Sequence, residues 1–253
     1  MWKIDLNCDM GEAFGVYTSG PDADIMPLIT SANIACGWHA GDPHVMRKSV
    51  ELALEHGVAI GAHPGHADLV GFGRRSIRLS PAELKDYVTY QVGALAAFVR
   101  AAGGQLHHVK AHGALYNQAA ADADLARAFA EAVAAFDESL IVVGLANSHL
   151  ISEAKRVGLP VANEVFADRG YLPNGALMPR NLPGAVLHDP DVVAARVLSM
   201  VKEGRVQASD GSTVQLEADT ICVHGDTPEA LKHLQALRCV LAEAEIDIIS
   251  VTR

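Results

Sequence analysis

Ile60-Gly61-Ala62-His63-Pro64-Gly65 is an apolar, strand-like run that ends in a histidine beside proline and glycine. The pattern recurs in Ala35-Cys36-Gly37-Trp38-His39-Ala40-Gly41-Asp42-Pro43, in Val109-Lys110-Ala111-His112-Gly113 and in Ile221-Cys222-Val223-His224-Gly225-Asp226. A further run, Ile4-Asp5-Leu6-Asn7-Cys8-Asp9-Met10-Gly11-Glu12, ends in carboxylates. A helix-like stretch follows most of these runs. In a parallel α/β protein the strand ends of one sense lie on one face of the sheet, and polar groups gathered there build a site.

Strand-like runs fall near 3–9, 29–36, 58–63, 107–112, 140–146, 161–167, 220–225 and 246–251. Helical patterns lie between them. Several open with a capping residue followed by proline, as in Asp42-Pro43, Asp189-Pro190 and Thr227-Pro228. Ser80-Pro81-Ala82-Glu83 reads as a capping box. Ala119 to Phe136 is alanine-rich and helical by propensity. Strand and helix alternate from end to end, which predicts the α/β class with a mainly parallel sheet. Seven or eight strands in 253 residues suit an irregular (β/α) barrel. The competing open, doubly wound sheet lacks its G-x-G-x-x-G fingerprint here. Segment 168–188, with its Gly, Pro and Asn, reads as an active-site loop. Segment 205–218 carries Asp210-Gly211 between two alternating runs and reads as an inserted β-hairpin. No linker or repeat divides the chain, so residues 1–253 are expected to form one domain.

Half of the chain is hydrophobic and its formal net charge is −10. That balance argues against nucleic acid, whose backbone demands clustered Lys and Arg. No signal peptide and no run of about 18 apolar residues is visible, so a cytoplasmic protein with no membrane span is expected. Cys8, Cys36, Cys222 and Cys239 form no C-x-x-C pair and read as reduced thiols.

Asp5, Asn7 and Asp9 alternate with Ile4, Leu6 and Cys8, so they share one face of their strand, the interior face if the sheet closes. Buried carboxylates are costly unless paired, hydrogen-bonded or bound to a cation. His39, His63, His112 and His224 stand at strand ends, and histidine suits proton transfer near neutral pH. Lys110 should face the same way as His112. His107 and His108 open their strand and fall on the stability side of a barrel. His44, His56, His66, His188 and His233 read as surface residues. Arg75, Arg169 and Arg180 lie in or beside loops and can clamp a carboxylate or phosphate. Asp9, His63, Lys110 and His112 are therefore the expected catalytic group. Asn7, Asn33, His39, Arg75, Arg169, Arg180, His224 and Asp226 are the expected substrate contacts. Asp9, His63 and His112 also match an Asp-His-His metal site, but no short ligand spacing supports one, and a metal-free cluster stays open beside it. The phosphate loop G-x-x-x-x-G-K-[ST] and the nucleophile elbow G-x-S-x-G are both missing.

The blocks Asp5 to Glu12, Ser31 to Pro43, Gly71-Phe72-Gly73-Arg74-Arg75, Lys110 to Asn117, Glu164-Val165-Phe166-Ala167-Asp168-Arg169 and Val223 to Pro228 together resemble the LamB/YcsF family over nearly the whole chain. The loop His63-Pro64-Gly65-His66 is the block that transfers least directly. The resemblance implies an irregular barrel similar to those of glycoside hydrolases and polysaccharide deacetylases. It implies one component of an ATP-dependent 5-oxoprolinase, which opens 5-oxo-L-proline to L-glutamate together with subunits B and C. ATP would be co-substrate of the complex and would bring its own divalent metal. A metal bound by this chain is not implied either way, and a homo-oligomer is compatible. Two other readings remain at this stage, a metal-dependent deacetylase of small sugars or amides and a non-catalytic subunit that presents substrate.

Overall fold

The computed structural model describes residues 2–223 and 230–252. In chain order the elements are β1 (Trp2–Met10), α1 (Asp22–Ile25), β2 (Ser31–Ala35), α2 (Pro43–Glu55), β3 (Ala59–His63), α3 (Pro81–Ala101) and β4 (Leu106–Lys110). Then come α4 (Gly113–Ala121), α5 (Ala123–Phe136), β5 (Ile141–Leu145), α6 (His149–Arg156), β6 (Val161–Phe166) and α7 (Pro190–Glu203). The chain ends with β7 (Arg205–Gln207), β8 (Thr213–Gln215), β9 (Thr220–Val223), α8 (Ala230–Glu243) and β10 (Ile246–Ile248). His224, Asp226 and the Thr227-Pro228 cap lie outside the described residues.

β1 to β6 pair in sequence, all parallel, and β9 pairs with both β6 and β1, which closes a seven-stranded barrel. The expected fold class is thus the observed one. β10 adds in parallel along Trp2 to Ile4 of β1, below the stretch that β9 covers. β7 and β8 pair antiparallel around Asp210-Gly211. The cap readings hold where they are described. Asp42 accepts from the amides of His44 and Val45, Asp189 from those of Asp191 and Val192, and Ser80 with Glu83 forms the reciprocal capping box. The alanine-rich stretch is two helices rather than one. Asp122 interrupts it, because its carboxylate caps α5 by accepting from Asp124 and Leu125.

Alternation along each strand divides the barrel into two environments. Outward residues such as Ile4, Leu6, Ile34, Ile60, Val109, Val165 and Ile221 join the helices in one continuous apolar core. The inward face is polar over β1 to β4, with Asp5, Asn7, Ser31, Asn33, His63, His108 and Lys110 all buried. Over β5 and β6 it turns apolar at Ile141, Val143 and Ala162. The lower polar layer is closely paired. Asp5 accepts from Thr30 Oγ1 at 2.6 Å, from Ser31 Oγ at 2.7 Å and from the Thr220 hydroxyl. Burial raises the Asp5 pKa, and those three hydroxyl donors oppose the rise.

His108 departs from the reading that puts it at the stability end with no part in the site. Its ring turns inward, and Nε2 lies 2.8 Å from Asn33 Oδ1. The space it fills exists because residue 61 on β3 is glycine; a Cβ there would lie 2.0 Å from Nε2. His66 and His233, expected at the surface, are buried as well. Their loop and helix fold inward, where His66 Nε2 sits 2.6 Å from Gln118 Oε1 and His233 Nε2 sits 3.2 Å from the His188 carbonyl.

Gly61→Ala forces the His108 ring off its seat. We expect it to lower stability by about 1–3 kcal/mol, the usual cost of overpacking, measured as a lower urea midpoint at unchanged slope.

Candidate functional site

The C-terminal strand ends open into a cavity of about 750 Å³. Asp9, His63, Lys110 and His112 line its floor, and the long segment 168–188 supplies much of one wall through residues 174–180. The four residues thus converge on one space, although they come from three strands and one strand-to-helix junction. The reason is register. Asp9 pairs with Asn33 and Asn33 with Gly61, so Asp9 stands level with Gly61, and His63, which pairs with Ala35, is the next inward position above it on β3.

Lys110 is the hub. Its ammonium is 2.7 Å from Glu164 Oε1, 2.9 Å from Asp9 Oδ1, 3.2 Å from Asn7 Oδ1 and 3.2 Å from Cys222 Sγ. Burial alone would push its pKa down, but Asp9, Cys222 and Glu164 outweigh that and hold it well above the ordinary lysine value. Lys110 is therefore a fixed cation. Asn33 ties the layers together by donating through Nδ2 to Asp9 Oδ1 at 2.9 Å and to Asn7 Oδ1 at 2.8 Å. His108, through Asn33, positions Asp9.

The hydrogen bonds assign the histidine tautomers. His63 Nδ1 lies 2.8 Å from the Lys110 carbonyl oxygen and His112 Nε2 lies 2.8 Å from that of Phe72. A carbonyl only accepts, so these nitrogens carry the protons. That leaves His63 Nε2 and His112 Nδ1 as acceptors in the neutral rings, and they face each other at 3.1 Å. Asp9 Oδ2 is 3.2 Å from His63 Nε2. Glu12 Oε1 stands 3.5 Å from His112 Nδ1 and 3.5 Å from His39 Nε2. Acceptors so arranged require a proton or a metal cation among them. Burial, then neighbouring histidines, depress the pKa values of His39 and His112 well below the usual range, which disfavours a proton there. The His39 ring stacks on His112 at 3.7 Å, and neither of its nitrogens has a hydrogen-bond partner among the described residues. Ligand atoms of Glu12, His39, His63 and His112 all lie within 4.8 Å of one another. Three imidazoles and a carboxylate match the preferences of a divalent transition metal.

The loop after β3 forms a roof. Gly73, at φ 62°, packs so closely that a Cβ would lie 2.8 Å from His39 Cβ and 2.9 Å from His112 Cδ2. Gln91 of α3 holds the same loop, accepting from the Gly65 amide at 2.9 Å and donating to the Gly65 carbonyl at 3.0 Å.

Arg75, expected at the substrate, is instead bonded to the buried Asp68 and does not line the cavity; Arg74 does. Arg169 and Arg180 both line the cavity. Asn7 and Asn33 lie beneath the floor as supports rather than on its surface. Glu12, Arg74, Tyr116 and Glu164 stand in the sequence blocks with no role assigned by sequence reasoning. Glu164 carries the same signal as Asp9, a carboxylate inside an apolar strand, two residues from the inward Phe166. The Tyr116 hydroxyl is buried, and burial followed by Glu164 raises its pKa well above the usual tyrosine value.

A sequence model described as LamB/YcsF family matches residues 4–253. The A subunit of a 5-oxoprolinase from Symbiobacterium thermophilum is 57% identical over 97% of this chain and 94% of its own length. The crystal structure of a lactam utilization protein from Thermus thermophilus superposes with a TM-score of 0.93 at 48% identity, covering 98% of this chain and 100% of that one. The catalytic domain of a peptidoglycan N-acetylglucosamine deacetylase from Eubacterium rectale shares the fold alone, with a TM-score of 0.53 at 10% identity over 98% of this chain and 88% of that one.

Lys110→Met would leave Asp9 and Glu164 buried without their shared cation. Breaking a buried ion pair from one side costs about 3–5 kcal/mol, and a loss of that size is expected in chemical denaturation. Recovery of stability in the Lys110→Met/Glu164→Gln double variant would tie the loss to the unpaired charge.

Proposed function

This chain belongs to the LamB/YcsF family, and from that membership and its strand-end site we propose that it is the lactam-opening component of an ATP-dependent 5-oxoprolinase. It converts 5-oxo-L-proline to L-glutamate, coupled to ATP hydrolysis, in a complex with subunits B and C. The observation that carries the reading is the convergence of Asp9, His63, Lys110 and His112 on one cavity floor, in a chain 57% identical to the A subunit of a 5-oxoprolinase.

The lactam lies on this floor with its carbonyl carbon toward Asp9 and His63. Lys110 keeps Asp9 ionised, and Asn33 keeps it aimed. The Asp9 carboxylate takes the proton of the attacking water, and His63 Nε2, 3.2 Å from Asp9 Oδ2, shares that proton when it holds no metal. The ring nitrogen must gain a proton as the C–N bond opens, and the same pair returns it. Segment 168–188 and the loop held by Gln91 limit bulk water over the floor. Glu12, His39, His63 and His112 would hold a divalent transition metal, which when bound polarises a carbonyl oxygen or acidifies a water. ATP and its own divalent metal act through the partner subunits, consistent with the missing phosphate loop. No described helix is long and apolar enough to cross a membrane, and we place the complex in the cytoplasm.

In the reconstituted complex, Asp9→Asn should fold normally yet release glutamate from 5-oxoproline and ATP about 10²–10⁴-fold more slowly. Wild-type turnover by that variant would make this chain an accessory that presents substrate. The wild-type chain without B and C should release no glutamate.

Elemental analysis and titration calorimetry test the metal separately from activity. One equivalent of a divalent transition metal should bind the chain, and the His63→Ala/His112→Ala variant should bind none. A chain that binds no such metal would leave the histidine cluster to proton transfer alone.

A further inference from the structure

Asn33 is fully buried inside the barrel, and its amide meets Asp9, Asn7 and His108. Its Nδ2 donates to Asp9 Oδ1 at 2.9 Å and to Asn7 Oδ1 at 2.8 Å, and its Oδ1 lies 2.8 Å from His108 Nε2. A side-chain amide can present its two ends either way round, and here only one way serves the site. The Asp9 carboxylate accepts. Asn7 Oδ1 accepts as well, because the same oxygen lies 3.2 Å from the Lys110 ammonium, which only donates. Asn7 Nδ2 in turn donates to the Thr220 hydroxyl at 2.7 Å. A reversed Asn33 would set its carbonyl oxygen against two acceptors and withdraw a donor from Asp9.

His108 is the partner whose sense its own chemistry leaves open. A neutral imidazole has one donor and one acceptor nitrogen, and its surroundings decide which is which. Burial, then His107 and Lys110, lower the His108 pKa well below the usual histidine range, so the ring is neutral and has a tautomer to choose. With the proton on Nε2 the ring donates to Asn33 Oδ1. With the proton on Nδ1, two lone pairs would meet at 2.8 Å, and Asn33 could satisfy the ring only by turning its NH2 group away from Asp9. His108 Nδ1 faces His107 Nδ1 at 3.2 Å. His107 is half-buried near the start of β4, and a proton on its Nδ1 meets the lone pair that the Nε2–H form of His108 leaves there.

We propose that His108 is a positioning residue for the lactam-opening reaction. Held as its Nε2–H tautomer by His107, it fixes the sense of the Asn33 amide and so aims both oxygens of Asp9. The two oxygens then do different work. Oδ1 takes Lys110 Nζ and Asn33 Nδ2, both at 2.9 Å, while Oδ2, 3.2 Å from His63 Nε2, is the oxygen that takes the proton of the attacking water. Two histidines at the lower end of β4 thus set the geometry at the open end of the barrel. The reaction they serve is that of the 5-oxoprolinase reading, on which this role rests.

Nitrogen NMR of the wild-type chain, labelled in its histidines, reads the tautomer directly. The His108 signals are those missing from the spectra of His108→Phe and His108→Gln. They should show a neutral ring with its proton on Nε2. A proton on Nδ1, or on both nitrogens, at neutral pH would overturn the proposal. In the reconstituted complex, His108→Phe keeps a ring over Gly61 but offers no donor. It should lower kcat about 10–100-fold, as loss of a supporting contact behind a reacting group does, with the KM for 5-oxoproline within about twofold of wild type. His108→Gln, whose amide N–H can replace Nε2–H, should recover most of that loss. Equal losses in the two variants would make the ring a space-filler and overturn the role. In an Asn33→Ala background His108→Phe should cost nothing further; a second full loss there would show that His108 does not act through Asn33. His107→Leu leaves the space over Gly61 undisturbed and serves if His108→Phe does not fold. It should give His108 signals of both tautomers and a lower kcat, and an unchanged tautomer with unchanged kcat would overturn the role of His107. If the complex never opens 5-oxoproline, the 5-oxoprolinase reading fails and the tautomer is still decided on the chain alone. Wild-type turnover by His108→Phe in an active complex would sink the positioning role and leave the function standing.

Discussion

One buried ammonium group organises the centre of this barrel. Lys110 Nζ sits among Asp9, Glu164, Asn7 and Cys222, drawn from β1, β6 and β9. Each of those groups would be expensive to bury alone. Together they hold the lysine as a cation between two carboxylates. The polar interior is tolerable only as a connected network, since a half-satisfied one is worse than an apolar core. That is why the network continues downward through Asn33, His108 and Thr220 to Asp5, and why β3 gives up a side chain at Gly61 to admit the His108 ring.

The upper face of the same network is arranged differently. Backbone carbonyls at Lys110 and Phe72 accept hydrogen bonds from the N–H groups of His63 and His112, so the acceptor nitrogens turn toward one another and toward Asp9 and Glu12. Below the floor, acceptors such as Asp5 and Asn7 meet donors. At the floor, acceptors meet acceptors. A site that binds a cation or moves a proton has this character, because a fully paired cluster has nothing left to offer a ligand. Higher still, Arg74, Arg169 and Arg180 line the cavity.

The site is partly legible in the sequence because strand periodicity reports facing. Asp5, Asn7 and Asp9 at every second position announce one polar face, and a histidine closing an apolar run marks a strand end. Glu164 obeys the same rule but sits in a run where one carboxylate is easily taken for an isolated pairing residue. His108 escapes the rule that equates a strand's first residues with structure alone, because its ring turns inward into the space that its register partner Gly61 leaves open. Arg74 is hidden beside Arg75 because loop residues have no period from which to infer direction.

The sequence by itself determined the alternation of strands and helices, the caps that start α2, α3 and α7, and the set of residues able to do chemistry at strand ends. These follow from local rules, in which propensity, capping and facing depend on residues a few positions away. Closure of seven strands, the meeting of β9 with β1, the choice between adjacent arginines and the tautomers of the histidines were decided only in three dimensions. Each depends on how distant segments meet, as when Asp5 pairs with Thr220 across the barrel seam. No local pattern carries that information, because it is set by which side chains can share one buried interior.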